Sequence, residues 1–287
     1  MRIILLLFFF TILSCSNSKN DFEEYNELEQ KAMLQFKDNE FEKALANFEK
    51  AIDLKPSENV SLYFYATASA LNSKNKDKAK ELLIASIHNT NASKDYFLNF
   101  KEFNNFRSEK LFSEIENDYE NHISEFYSRL KHPEIYREID SLREIDQKYR
   151  KNGSEWKDIS RIDSLNIKRL IEITKEYGWQ KRSWIVLWHQ RGTYGQDNYV
   201  WNFFKPYIDG EIKKGNIKKD FWTRFEEEKS INENKEQIYG YYWNQFDEYP
   251  IIDIKNVDKR RAEFGIPPLW YLNKVYGIEL PSEYKKL

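Results

Sequence analysis

FEKALANFEKAIDLKP, residues Phe41 to Pro56, places Phe41, Ala44, Phe48, Ala51 and Ile52 on one side of a helix at spacings of three and four. Pro56 then halts it, because proline lacks the N–H that a further turn needs. Outward from this stretch the pattern repeats. Leu28, Ala32, Ala44, Phe48 and Ala51 stand against Leu62, Ala66, Ala79, Leu83 and Ser86, offset by 34 to 35 residues. A period of that length is one helix-turn-helix unit, in which small residues let paired helices approach and an aromatic fills the gap between hairpins. The second copy carries one extra loop residue and has Ser86 where the first has alanine.

The in-phase set Phe41, Ala44, Phe48, Ala51, Ile52 and Pro56 resembles the second helix of a tetratricopeptide repeat. The resemblance implies a module of helical hairpins over residues 25–126, with Tyr96 to Phe126 as a degenerate third hairpin or a cap. Two repeats bury little area alone, so the module is expected to pack against the domain behind it. It serves either as a groove for a protein or peptide partner or as a spacer that caps that domain. A repeat fold implies surface, not chemistry.

Upstream, Met1-Arg2 is a minimal positive start, and Ile3 to Leu13 is an apolar run too short to span a bilayer. It reads as a signal peptide, residues 1–15. Its end, Ile12-Leu13-Ser14-Cys15, resembles the bacterial lipobox, with Leu13 bulkier than the residue usual there. That resemblance implies acylation of Cys15, palmitate being one such chain, and anchoring by hydrophobic transfer at about 0.8 kcal/mol per buried methylene. Residues 16–24 then act as a tether. Ser16 rather than aspartate after the cysteine fits sorting to the outer membrane of a Gram-negative bacterium.

Composition narrows the rest. Twenty Phe, 19 Tyr and 8 Trp need burial, which excludes a disordered chain. Forty-five basic against 47 acidic residues leave a net charge of −2, so no global field attracts nucleic acid. Cys15 is the sole cysteine, which removes structural disulfides, thiolate metal sites and cysteine nucleophiles. His88, His122, His132 and His189 are scattered, so no metal and no cofactor is expected. A phosphate loop, HExxH, a nucleophile elbow and a dinucleotide fingerprint are all missing.

Pro133 starts a second unit, residues 133–287. On its first helix Ile139, Leu142 and Tyr149 form an apolar stripe that Asp146 interrupts. On the next, Ile159, Ile162, Leu170, Ile173 and Tyr177 form a stripe containing Asn166, with Asp163 beside it, and Gly178 ends the helix. A third helix, Trp184 to Gln190, is apolar nearly all round yet delivers His189 and Gln190 at its end. Buried polar groups need partners, so Asp146, Arg150, Asp163, Asn166 and His189 are expected to converge in one cluster. Such a cluster is either a packing network or a binding or catalytic site. After a helix interrupted at Pro206, Gln237–Tyr242 and Ile251–Ile254 are β-prone runs that read as a small hairpin. The expected fold is mainly α: repeat hairpins followed by a helical domain with that hairpin.

Residues 138–272 resemble an uncharacterised family, domain of unknown function 6624. The marks are Asp146, Gln147 and Arg150 in DQKYR, Asp163 and Asn166 in DSLN, Gly178-Trp179, His189, Gln237, Tyr239 and Gly240 in QIYG, and VDKRRAEFG from Val257 to Gly265. The chain departs from the family at Tyr241-Tyr242, where Thr-Gln is usual, and at Thr223, where an acidic residue usually precedes the arginine matching Arg224. The resemblance names relatives without supplying a reaction. Two functions follow from the residues. The first is an envelope lipoprotein that binds a protein, peptide or other ligand, with Gln147, Asp163, Asn166, Gln190, Gln237 and Tyr239 as candidate binding residues. The second is a hydrolytic enzyme with Asp146 or His189 as general base and Arg150 or Arg224 stabilising negative charge.

Overall fold

A computed structural model describes residues 21–54, 59–151, 153 and 155–285. Cys15, the lipobox and Pro56 lie outside the described residues. The chain is mainly helical. Two helix pairs open it: α1 (Asp21–Lys37) with α2 (Phe41–Leu54), and α3 (Val60–Asn72) with α4 (Lys76–Thr90). Each pair turns through one left-handed residue, Asn39 and Lys74, both at φ +61°, and these stand at the same offset as the side-chain repeat. Ala32, Ala44, Ala51, Ala66 and Ala79 have no exposure, and neither do Phe48 and Leu83. Small side chains at the helix contacts and a large one between pairs fill this core, as the spacing requires. Ser86, also fully buried, satisfies its hydroxyl on the Leu83 carbonyl at 2.6 Å.

Short helices α5 (Lys94–Asn99), α6 (Lys110–Asn117) and α7 (Tyr119–Arg129) close this end, with α7 packed on α4. Pro133 is the first residue of α8 (Pro133–Lys151), where its missing N–H has no intrahelical partner to lose. α9 (Trp156–Tyr177) returns alongside α8 and stops at Gly178, whose φ of +81° suits glycine. α10 (Trp184–Trp188), α11 (Tyr199–Lys213) and α12 (Thr223–Asn234) build a second core around Ile167, Leu187, Trp201, Phe204 and Phe225. α11 runs through Pro206 rather than breaking there.

The chain then comes back to α1. α13 (Val257–Glu263) and α14 (Leu269–Tyr276) follow, and Leu269, Tyr271, Leu272 and Val275 join the same apolar core as Tyr25, Phe36 and Phe64. α14 lies on α1, and Lys274 meets Asp38 at 2.5 Å. Tyr65 of α3 packs against the same core as Tyr271. This face of the repeats is therefore covered by the chain's own last helix.

Two further sequence expectations are corrected. There is no β-hairpin among the described residues: Gln237 and Ile251 form one isolated bridge, and it is parallel. The reason lies in Glu227, whose carboxylate accepts the N–H groups of Ile238 (2.5 Å), Tyr239 (2.8 Å) and Tyr241 (2.9 Å). Arg260 and Arg261 meanwhile occupy the carbonyls of Ile238 and Tyr239. These side chains take the amides and carbonyls that a ladder would use at Ile238 and Tyr239. The helix expected from Trp184 to Gln190 ends at Trp188, and His189 and Gln190 sit in a turn before a 3-10 segment at Arg191–Thr193.

Candidate functional site

Three groups of polar side chains emerge from this packing. The first surrounds Asp146, only 1% exposed on α8. Its Oδ1 accepts from Arg150 Nη1 at 2.7 Å, and its Oδ2 accepts from Gln147 Nε2 at 2.7 Å and lies 3.1 Å from His189 Nε2. Arg150 also donates through Nη2 to both oxygens of Asp163, at 2.8 and 2.9 Å. One guanidinium thus bridges carboxylates from α8 and α9, and the turn after α10 adds the imidazole. Asn166 stands one step aside, donating to the Leu142 carbonyl at 3.2 Å. Gln190 contributes its backbone carbonyl to the Thr193 hydroxyl and has no side-chain hydrogen bond among the described residues.

The two carboxylates are held differently. Burial pushes the Asp146 carboxyl up, but the hydrogen bond and charge of His189, with help from Gln147 and Arg150, outweigh it and hold the group below the usual carboxylate range. At Asp163 burial prevails over the Arg150 contacts, and the neighbouring Asp146 charge adds to it, so that carboxyl is pushed up. Side-chain exposures of 12% for His189 and 22% for Arg150 leave this network a narrow contact with solvent.

The second group is a brace. Gln237, fully buried, accepts from the Tyr242 N–H and donates to the Tyr249 carbonyl, both at 2.8 Å. The Tyr239 hydroxyl donates to Glu226 at 2.8 Å, and the Tyr242 hydroxyl to Glu228. Together with fully buried Glu227, these contacts fix the loop in a shape that the β-prone sequence does not announce.

The third group lies in a cleft where α1 faces the segment before α12 and the loop before α14. Its outer part, a cavity of about 420 Å³, is walled by Trp179, Trp184 and Phe221 with Lys218, Asp220 and Arg224. Its inner part, about 250 Å³, is lined by Glu29, Lys218, Asp220, Arg224, Tyr241 and Arg261 among others. Lys218 donates to Asn26 of α1 at 2.9 Å and stands over the Tyr25 ring. Burial pushes the Glu29 and Asp220 carboxyls up, against the pull of Lys218. Arg224, exposed, rests over the Tyr241 ring at 4.6 Å.

Arg224 is thus separate from the Asp146 network, which lines neither of these cavities. Sequence reading missed Glu29, Lys218, Asp220 and Glu227. Glu29 sits in the acidic run DFEEYNELEQ and Lys218 and Asp220 in NIKKD, both of which look like solvated faces until the fold brings them together. Among the described residues no group of three or more His, Cys, Asp or Glu is placed to hold a metal, and no helix is long and apolar enough to cross a membrane. In comparisons with family models, curated proteins and solved structures, the chain finds no match.

Proposed function

We propose that the chain is a lipid-anchored protein of the cell envelope, tethered through Cys15 to an outer membrane, whose folded part binds a ligand in the cleft between α1 and residues 216–224. The carrying observation is the composition of that cleft: aromatic walls at Trp179, Trp184 and Phe221, with cations and carboxylates from both halves of the chain converging within it. Pockets that combine apolar walls with a few convergent polar groups are the usual form of ligand sites. The helix pairs, read as tetratricopeptide-type repeats, serve here as a wall of the cleft, since α14 covers one of their faces. Membership of residues 138–272 in domain of unknown function 6624 belongs to the same proposal, supported by the gathering of Asp146, Gln147, Arg150 and Asp163 into one network.

The test uses the full chain in detergent with a zwitterionic dipeptide, sodium acetate and N-acetylglucosamine as probes. At least one probe should shift the indole N–H signals of Trp179 and Trp184 while leaving Trp156, 77% exposed elsewhere, unmoved. Failure of every probe to favour the cleft over Trp156 overturns the reading.

A hydrolytic reading has one observation in its favour. Asp146 holds His189 through Nε2, which leaves Nδ1 of a partly exposed imidazole as a base. Its test is turnover of ester substrates by the parent chain and by His189→Ala; equal rates remove it.

A further inference from the structure

Arg261 is the residue that the fold leaves unexplained. It is 2% exposed, and burial pulls its guanidinium down to about 10, still charged at neutral pH. Its Nε and Nη1 donate to the Pro267 and Tyr239 carbonyls, each at 2.5 Å. Nη2 has no hydrogen-bond partner among the described residues, and Arg261 lines the inner cavity. No carboxylate of the described residues lies within ion-pair distance of it. The two nearest in charge, Glu227 and Asp258, are already occupied: Glu227 by three backbone N–H groups, Asp258 by the Leu269 N–H at 2.7 Å and the Tyr284 hydroxyl at 2.5 Å.

Two more cations share the cavity. Arg224 faces the same Tyr241 ring as Arg261, at 4.6 Å against 5.9 Å, and makes no hydrogen bond or ion pair among the described residues. Lys218 spends one donor on Asn26. A buried guanidinium with no ion pair, beside a second with none, is costly in the empty protein and is relieved by an oxyanion, whose oxygens match the guanidinium fork.

We propose that the inner end of the cleft is an oxyanion subsite, where Arg261, Arg224 and Lys218 hold the carboxylate or phosphate group of a ligand. The inference rests on the cleft being the binding site and names the chemistry of one end of its ligand. Cavity size fits an anionic group with its attachment point, while the rest of the ligand extends to the Trp179 and Trp184 walls. Glu29 and Asp220 face the same space, and with both ionised the three cations outnumber them by one. Tyr241, Tyr271 and Tyr276 complete the titratable lining; burial pushes all three up, so they stay neutral. Protonation of the two carboxyls therefore makes the subsite more positive as pH falls.

The probes are sulfate, which keeps its charge from pH 5 to pH 8 and stands for a phosphate group, and acetate, titrated separately into the full chain by calorimetry at constant ionic strength. Saturable binding of at least one is expected, strengthening as pH falls, and weakened roughly tenfold by Arg224→Gln, the loss of one charged hydrogen bond. Preference for sulfate assigns the site to phosphate, preference for acetate to carboxylate. Arg224 is exposed, so its variant folds even if Arg261→Gln does not. Absence of saturable binding by the parent, or equal binding by Arg224→Gln and Lys218→Gln, overturns the proposal. Should the dipeptide still shift Trp184 in that event, the cleft stands as a binding site and only the oxyanion assignment falls.

Discussion

His189 Nε2 lies 3.1 Å from Asp146 Oδ2, although the residues sit 43 positions apart and on different elements. The contact ties the turn after α10 to α8, and through Arg150 it ties both to α9. Asp146→Ala takes away the anion that faces the His189 imidazole and one of the two carboxylates that Arg150 bridges, leaving Asp163 as the other. Removing one partner of a buried pair usually costs 3–5 kcal/mol, and the solvent contact of Arg150 places this case near the lower end, about 3 kcal/mol. Urea unfolding of Asp146→Ala against the parent measures it; a loss under about 1 kcal/mol would mean the network is not structural.

The same carboxylate sets an acid limit. Its folded pKa is lowered, so its contribution to stability is present above the unfolded value near 3.9 and is lost as pH falls below that. Unfolding free energy between pH 5 and pH 2.5 should therefore drop more steeply for the parent than for Asp146→Asn.

Asp220 has the opposite sign. Burial raises its folded pKa, so the protonated form is favoured in the folded state, and the benefit disappears as pH rises through the raised value. Compared with the parent, Asp220→Asn should gain stability as pH is raised from 4 to 8. Melting temperatures across that range show the trend, and a constant difference contradicts it.

Phe48 fills the gap between the helix pairs with no exposure. Phe48→Ala should cost about 3–5 kcal/mol. Circular dichroism during denaturant unfolding reads the loss, and near-parental stability would place the packing weight of the repeats elsewhere.

Glu227→Ala removes the acceptor of three backbone amides, and each hydrogen bond to a charged group is worth about 1.5–3 kcal/mol. Amide exchange at Ile238, Tyr239 and Tyr241 should accelerate far more than in α1–α4. Unchanged protection of the loop would show that Arg260 and Arg261 hold it alone.

Cys15→Ser tests the proposed anchor. The variant should appear in the soluble fraction or persist unprocessed, whereas membrane association with a cleaved, unlipidated start would defeat the assignment.

The repeat hairpins were legible because their information is local: alanines and an aromatic at fixed spacing specify a helix pair whatever follows, and the buried set recurs at the offset the sequence shows. Polar interruptions of apolar stripes marked Asp146 and Asn166, since a carboxylate on a core face needs a partner somewhere. The partner's identity was not local. Loop 237–242 has every propensity for a strand, yet one buried glutamate eleven residues upstream takes its amides, and propensity cannot register a side chain that arrives from a neighbouring helix. The cleft was hidden for the same reason. Glu29 and Arg261 each sit in a run that reads as solvated surface, and only the tertiary fold sets their charges against one cavity.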